Sequence, residues 1–172
     1  LPIQSGSQKI LDAMLRDHTL DNFWEVVETF RQVYPEMMII TDIITGFPGE
    51  TDEDHQQTVD LLNRLLPDLV NLTRFSPRQG TPAARYKRVN SNTVKARSRE
   101  LTELRKKLGA KSFERFVGRK TSVLTVENRR KGSTLCRDDN YRPIILKEEL
   151  PLGKFYDVEI IDSDYAFLTA IL

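Results

Sequence analysis

Cysteine is almost missing from this chain. Cys136 stands alone among 172 residues, so no intrachain disulfide can form and a reducing compartment is expected. Histidine is nearly as scarce. His18 and His55 lie at spacings that build no metal cluster with Cys136, and the two read as surface residues beside a small, partly buried thiol. No serine stands on a nucleophile-elbow pattern. No apolar run approaches the roughly 20 residues needed to span a bilayer, and no signal-like start is seen, so a cytoplasmic protein with no membrane partner is expected. Acid is the scarce commodity in one region only. Residues 74–111 hold twelve Lys/Arg against two Asp/Glu, whereas residues 1–73 hold four against thirteen and residues 112–172 hold ten of each. A formal charge of +1 therefore conceals a basic block, and that block suits an anionic partner, nucleic acid first.

What the chain does have is a junction around which the rest is arranged. Met37-Met-Ile-Ile-Thr-Asp-Ile-Ile-Thr45 is a nearly continuous apolar run, which predicts a strand buried on both faces, interrupted by Asp42. Gly46, Pro48 and Gly49 end it in a loop where backbone can approach a ligand. Thr51 with Asp54 then forms a near capping box for a helix from Asp52 to Leu66, with Val59, Leu62, Leu65 and Leu66 inward. Strand, glycine loop and helix N-terminus meet where α/β proteins bind ligands.

Upstream, Leu1-Pro-Ile-Gln-Ser-Gly-Ser7 reads as the end of a strand entering a loop, as if earlier elements precede it. Ser7 is placed to cap a short helix, and Arg16 lies at that helix's far end. A second helix is expected from Thr19 or Asp21 to Tyr34, with Phe23, Val26, Val27, Phe30 and Val33 on its apolar side. Downstream, Leu69–Phe75 is a further strand, and Ser76-Pro-Arg-Gln-Gly80 presents Arg78 in a loop. The order strand, helix, helix, strand, helix, strand predicts parallel βα units. Ser91–Phe116 reads as one helix with a seam of Val94, Leu101, Leu104 and Leu108; Lys95, Arg99 and Lys106 stack on another face, where solvent or phosphate would meet them. After Gly118, runs at 120–127, 141–146, 155–161 and 165–172, with a fifth short strand near Ser133–Cys136, predict a small antiparallel barrel.

These segments resemble a known family. Leu1–Ser7 with Met14-Leu-Arg16, Thr41-Asp-Ile-Ile-Thr-Gly-Phe-Pro-Gly-Glu-Thr51, Arg74-Phe-Ser-Pro-Arg-Gln-Gly-Thr-Pro-Ala-Ala84 and Val94–Leu101 are similar to the radical-SAM tRNA methylthiotransferases. Asn140-Tyr-Arg-Pro143 and Leu152-Gly-Lys-Phe155 resemble their appended TRAM domain, and the wording is closest to the archaeal and eukaryotic branch that acts on threonylcarbamoyladenosine beside the anticodon. The resemblance implies an α/β fold: the C-terminal part of a partial (β/α) radical-SAM barrel with a long basic helix over residues 1–111, then an OB-like TRAM β-barrel over 112–172. It implies S-adenosylmethionine as cofactor and tRNA as partner. It also implies iron–sulfur clusters in the full-length enzyme whose cysteine ligands this chain lacks, so that no catalytic residue and no metal ligand is assigned here and the chain alone is expected to be inactive. Gln4, Ser5, Arg16, Asp42, Gly46, Gly49 and Phe75 match cofactor-pocket positions; Arg78, Lys95, Arg99, Lys106 and Arg142 are expected toward substrate or RNA. Two other readings stay open: an RNA-binding module, or a sister enzyme acting on isopentenyladenosine or a ribosomal protein. Half a barrel would expose apolar surface, so self-association is expected as well.

Overall fold

The computed structural model of the protein describes residues 1–129 and 132–172, so the expected Lys131-Gly132 turn lies partly outside the described residues. Two compact units make up the chain, one of Leu1–Pro35 and Ile39–Arg105, the other of Glu36–Met38 and Lys106–Leu172.

The first unit runs α1 (Gln8–Ala13), α2 (Leu20–Val33), β1 (Ile40–Thr45), α3 (Asp52–Leu65), β2 (Leu69–Arg74), a short 3-10 turn at Pro82–Arg85 and the opening of α4 (Ser91–Glu114). β1 and β2 pair in parallel from Ile40 opposite Leu69 to Thr45 opposite Arg74, and Gln4 adds a parallel bridge to Ile43. The helical crossover α3 makes parallel pairing possible. Ile3, Ile10, Leu11, Ile43, Leu62 and Leu65 are almost wholly shielded from solvent and form the core.

Several boundaries and faces differ from expectation. β1 begins at Ile40, because Glu36–Met38 belongs to the other unit. It is not buried on both faces: Thr41, Ile43 and Thr45 are buried while Ile40, Asp42 and Ile44 are half-exposed, and of these Ile44 lines the cavity described below. On α2 the Thr19–Asn22 capping box is present, but only Phe23 and Val27 are buried; Val26, Phe30 and Val33 stand in solvent. On α3 the inward set is Thr58, Leu61, Leu62 and Leu65. Leu66 ends the helix in a left-handed conformation, φ 46°, and faces outward ahead of Pro67.

The second unit holds the rest of α4 and five strands: β3 (Lys120–Arg129), β4 (Ser133–Arg137), β5 (Pro143–Leu146), β6 (Phe155–Ser163) and β7 (Leu168–Ile171). They close into a barrel in the order β3-β4-β5-β7-β6. Every pair is antiparallel except β5 with β7. The all-antiparallel expectation fails for a counting reason: a closed ring of five strands cannot alternate direction all the way round. Val123, Cys136, Ile144, Leu146, Val158 and Leu168 are buried here, and Cys136, expected to be partly buried, has no exposed surface. Burial pushes its thiol pKa up to about 11, so it is a packing residue.

Candidate functional site

The loop Gln4–Ser7 is clamped onto α3. Gln4 exchanges backbone hydrogen bonds with β1, its N–H donating to the Asp42 carbonyl and its carbonyl accepting from Ile44 N–H, both at 2.9 Å. It does so at φ 75°, a conformation costly for a residue with a side chain. Ser5 is buried, its Oγ 3.5 Å from Thr58 Oγ1, which also accepts from Gly6 N–H at 3.0 Å. A Cβ on Gly6 would lie 2.3 Å from the Gln57 carbonyl oxygen, so the loop can touch the helix only through glycine. Ser7 makes no side-chain cap to α1, contrary to expectation. Its hydroxyl instead donates to Asp54 Oδ1 at 2.7 Å, while Lys9 Nζ reaches Asp54 Oδ2 at 2.6 Å and the Thr51 N–H donates to Oδ2 at 2.9 Å. Burial works against the Asp54 charge, but these donors outweigh it and hold the carboxyl well below the usual carboxylate range.

Beside this clamp lies a cavity of about 430 Å³, a size typical of small-molecule sites. Met14, Leu15, Ile44, Phe47, Phe75 and Tyr86 supply its apolar wall, with Phe47 and Phe75 edge to face at 5.0 Å. Arg16, Arg74 and Arg78 supply its charge. No carboxylate lines it, and none of the three guanidiniums has an ion-pair partner among the described residues. Such a cavity suits a ligand with a flat ring and an anionic group.

Of the expected cofactor residues, Arg16 and Phe75 line this cavity, and Arg78, expected toward substrate, joins them. Asp42 does not line it. Its carboxylate accepts from Asn71 Nδ2 at 2.8 Å, on the β1–β2 rung two residues back from the Ile44–Thr73 rung that does. Gln4 and Ser5 are not among the residues that line it. Gly46, at φ 78°, has no room for a side chain, since a Cβ would lie 2.6 Å from a Val94 methyl. Gly49, at φ 86°, faces open space. Phe47, Arg74 and Tyr86 were not singled out from sequence; all three stand inside or just after the quoted motifs, and only the folded geometry joins them.

Glu50 is buried at the same junction. It accepts from Gly46 N–H at 2.9 Å and from Arg97 Nη1 at 2.7 Å, while Arg97 Nη2 donates to Asp52 Oδ1 at 2.6 Å. Arg97 thereby holds the Asp52 carboxyl below its ordinary range. Arg97 is thus a buried clasp rather than a solvent-facing cation, and Arg105, half-buried, donates to the Val70 carbonyl at 3.3 Å. Lys95 and Arg99, one turn apart on α4, are exposed, and Lys106 is half-buried. His55, expected on the surface, is buried and meets Glu100 at 2.9 Å.

In the second unit Arg142 is not a surface cation. It is 6% exposed, donates to Asp138 Oδ2 at 2.7 Å and to the Glu36 carbonyl at 2.8 Å, and lies 3.9 Å over the Phe116 ring. Those partners use its charge internally, so it supports the Asp138–Tyr141 turn. Arg119 pairs with Glu36 at 3.0 Å and holds that carboxyl below its usual range. Among the described residues, no group of His, Cys, Asp and Glu could hold a metal ion, and no helix is long and apolar enough to cross a membrane.

Residues 1–62 match the model of the radical SAM superfamily. Along its length the chain is similar to the probable threonylcarbamoyladenosine tRNA methylthiotransferases of Archaeoglobus fulgidus (42% identity over 98% of this chain and 39% of the relative) and Pyrococcus abyssi (39% over 100% and 40%). It is also similar to the tRNA-2-methylthio-N(6)-dimethylallyladenosine synthase of Magnetococcus marinus, at 40% over 95% of this chain and 38% of that one. The chain spans about two fifths of the length of these relatives.

Proposed function

We propose, from the match of residues 1–62 to the radical SAM superfamily, that the chain is part of an enzyme that methylthiolates threonylcarbamoyladenosine in tRNA. Five archaeal relatives carry that activity in their names, at 35–42% identity over 95–100% of this chain. Within this reading the cavity of the first unit is the S-adenosylmethionine side of the site. The observation that carries it is the pairing of three guanidiniums, without ion-pair partners among the described residues, with a wall containing Phe47, Phe75 and Tyr86. Arg16 takes the methionine carboxylate by charge-assisted hydrogen bonds. Phe75 and Phe47 bound the adenine, and Gly46 and Gly49 shape the loop, while Asp42, outside the cavity wall, is held by Asn71. Arg78 serves the substrate side. Arg16, Phe47 and Phe75 would hold S-adenosylmethionine, which when bound would supply the radical and methyl-transfer chemistry of such an enzyme. This chain's own part is to bind, orient and shield. We assign residues 1–111 to that barrel segment and residues 112–172 to a TRAM domain that, with Lys95, Arg99 and Lys106, holds tRNA.

The test is equilibrium dialysis of labelled S-adenosylmethionine against the longest protein that contains this chain. Arg16→Ala should weaken binding by roughly ten- to a hundredfold, the cost of losing a charged hydrogen-bond partner. Arg85→Ala, whose side chain does not line the cavity, should change it little. Equal and small effects from both would remove Arg16 from the site.

A further inference from the structure

The outer face of the barrel carries two large rings that no packing requirement explains. Tyr141 is 65% exposed and Phe155 71% exposed. Tyr141 is also strained, at φ 65°. Its surroundings hold it there. The Asp138 Oδ1 accepts from the Asn140 and Arg142 N–H groups at 3.0 and 2.8 Å, and the Asp138 carbonyl accepts from Tyr141 N–H at 2.9 Å. Arg137 donates to the Tyr141 carbonyl at 3.0 Å and lays its guanidinium 4.5 Å from the centre of the ring. An exposed aromatic kept in a costly backbone conformation by several donors is a mark of function rather than of folding.

The strand register places the second ring in the same row. Phe155 on β6 is opposite Leu124 on β3, and Leu124 is opposite Arg137 on β4. Their neighbours Val123, Thr125 and Cys136 are buried, so the three point outward. Strands lie about 4.8 Å apart, which puts Phe155 about 10 Å from Arg137 with Leu124 as the floor between them. Exposed Lys154 adjoins Phe155, whereas Asp157, on the next outward rung opposite Ser122, bounds the row on one side.

We propose that the row Phe155–Leu124–Arg137–Tyr141 is a stacking platform for unpaired RNA bases, so that the barrel selects single-stranded RNA over duplex. The proposal rests on the RNA-binding reading of the barrel and specifies what form of RNA it takes. Arg137 lies against the Tyr141 ring and donates to the Tyr141 carbonyl, so the row presents ring and guanidinium faces side by side. Such faces match the π-face of any base but find no purchase on a duplex, whose bases are turned inward. Preorganised rings also lose little freedom on binding.

The experiment uses the full 172-residue chain with a fluorescein-labelled oligoadenylate and a blunt RNA duplex, each over a salt series. Phe155→Ala and Tyr141→Asn should each weaken oligoadenylate binding by roughly five- to a hundredfold. Asparagine keeps the left-handed backbone favourable, so the second variant removes the ring without adding strain. Salt dependence and duplex binding should not change, because stacking releases no counterions. Phe155→Trp should retain the affinity and show quenched indole fluorescence at saturation; should Tyr141→Asn fail to fold, the two Phe155 variants decide. Undiminished oligoadenylate affinity in both ring-removing variants overturns the platform while leaving RNA binding intact. So does an equal loss on duplex, or a dimer that Phe155→Ala abolishes with RNA affinity unchanged. A parent chain that binds neither RNA overturns the RNA-binding reading and the platform with it.

Discussion

Asp54 does more for the first unit than any single side chain that sequence singled out. It closes the Thr51 cap of α3 and, with the same two oxygens, holds Ser7 and Lys9. Sequence showed the capping role, because Thr51-x-x-Asp54 is a local pattern. It could not show the longer reach, because Ser7 and Asp54 are 47 residues apart and meet only when the Gln4–Ser7 loop folds onto α3. Asp54→Asn should therefore cost about 2–4 kcal/mol, several charged hydrogen bonds weakened at once in a buried place. The sign of the pH dependence follows from the lowered folded-state pKa. The contribution is full above the unfolded value of about 3.9 and is lost as pH falls below it. Urea midpoints of parent and Asp54→Asn should differ by a constant amount above about pH 5 and converge below about pH 4. A difference that stayed constant down to pH 3 would show that the carboxylate is not what the donors hold.

At the scale of elements, sequence read the strands and helices well where a local rule decides them. The Thr51 box and the strand runs of the barrel act within a few residues, and each element stands within a few residues of where its pattern put it. Faces were harder. Val26, Phe30 and Val33 carry a helical period that equally fits burial and a surface stripe, and only the fold decides. Arg142 is expected toward RNA and Arg97 lies within the basic block 74–111, yet each is folded inward to partners far off in sequence or across a turn. The cavity was half legible: Arg16, Phe75 and Arg78 sit in motifs, whereas Phe47, Arg74 and Tyr86 join them only in three dimensions. The same lesson applies to glycine. Gly6 drew no notice beside Gly46 and Gly49, but it is the one whose hydrogen faces helix backbone, with Gln57 O and Thr58 Cα both within 2.5 Å of a built Cβ. Backbone on both sides leaves nothing flexible to give way. Gly6→Ala should lower stability by about 1–3 kcal/mol, the range for overpacking a tight contact, whereas Gly49→Asn, in open space at a positive φ, should cost well under 1 kcal/mol. Thermal denaturation of the two variants checks this, and equal losses would mean the loop can lift off α3.

For the molecule as a whole, two surface features set how it meets other molecules. The first is apolar: Val26, Phe30, Val33 and Tyr34 follow one another along α2 at helical spacing and are 37–62% exposed, and β2 pairs only with β1 among the described residues. Exposed stripes and open edges favour association, so sedimentation should show concentration-dependent self-association of this chain, weakened by Phe30→Lys. A monomer at every concentration, with no apolar dye bound, would count against it. The second is charge. The net +1 is a balance between an acidic first 73 residues and a block at 74–111 with twelve cations to two acids. Folding withdraws one of those cations, Arg97, into internal ion pairs. Lys95 and Arg99 keep their charge in solvent, one helical turn apart, with no ion-pair partner among the described residues. A polyanion meeting the chain would then find its counterion-releasing contacts there, and each phosphate neutralised adds about 0.9 to the log–log salt slope on duplex. Lys95→Gln with Arg99→Gln should weaken tRNA binding at low salt and flatten that slope by up to about 1.8, two contacts' worth. The same change at Arg97 would instead lower stability, because it leaves Glu50 buried without its partner. If the slope is unmoved by the double substitution, this face of α4 does not meet the RNA backbone, and whatever binding remains belongs to the barrel.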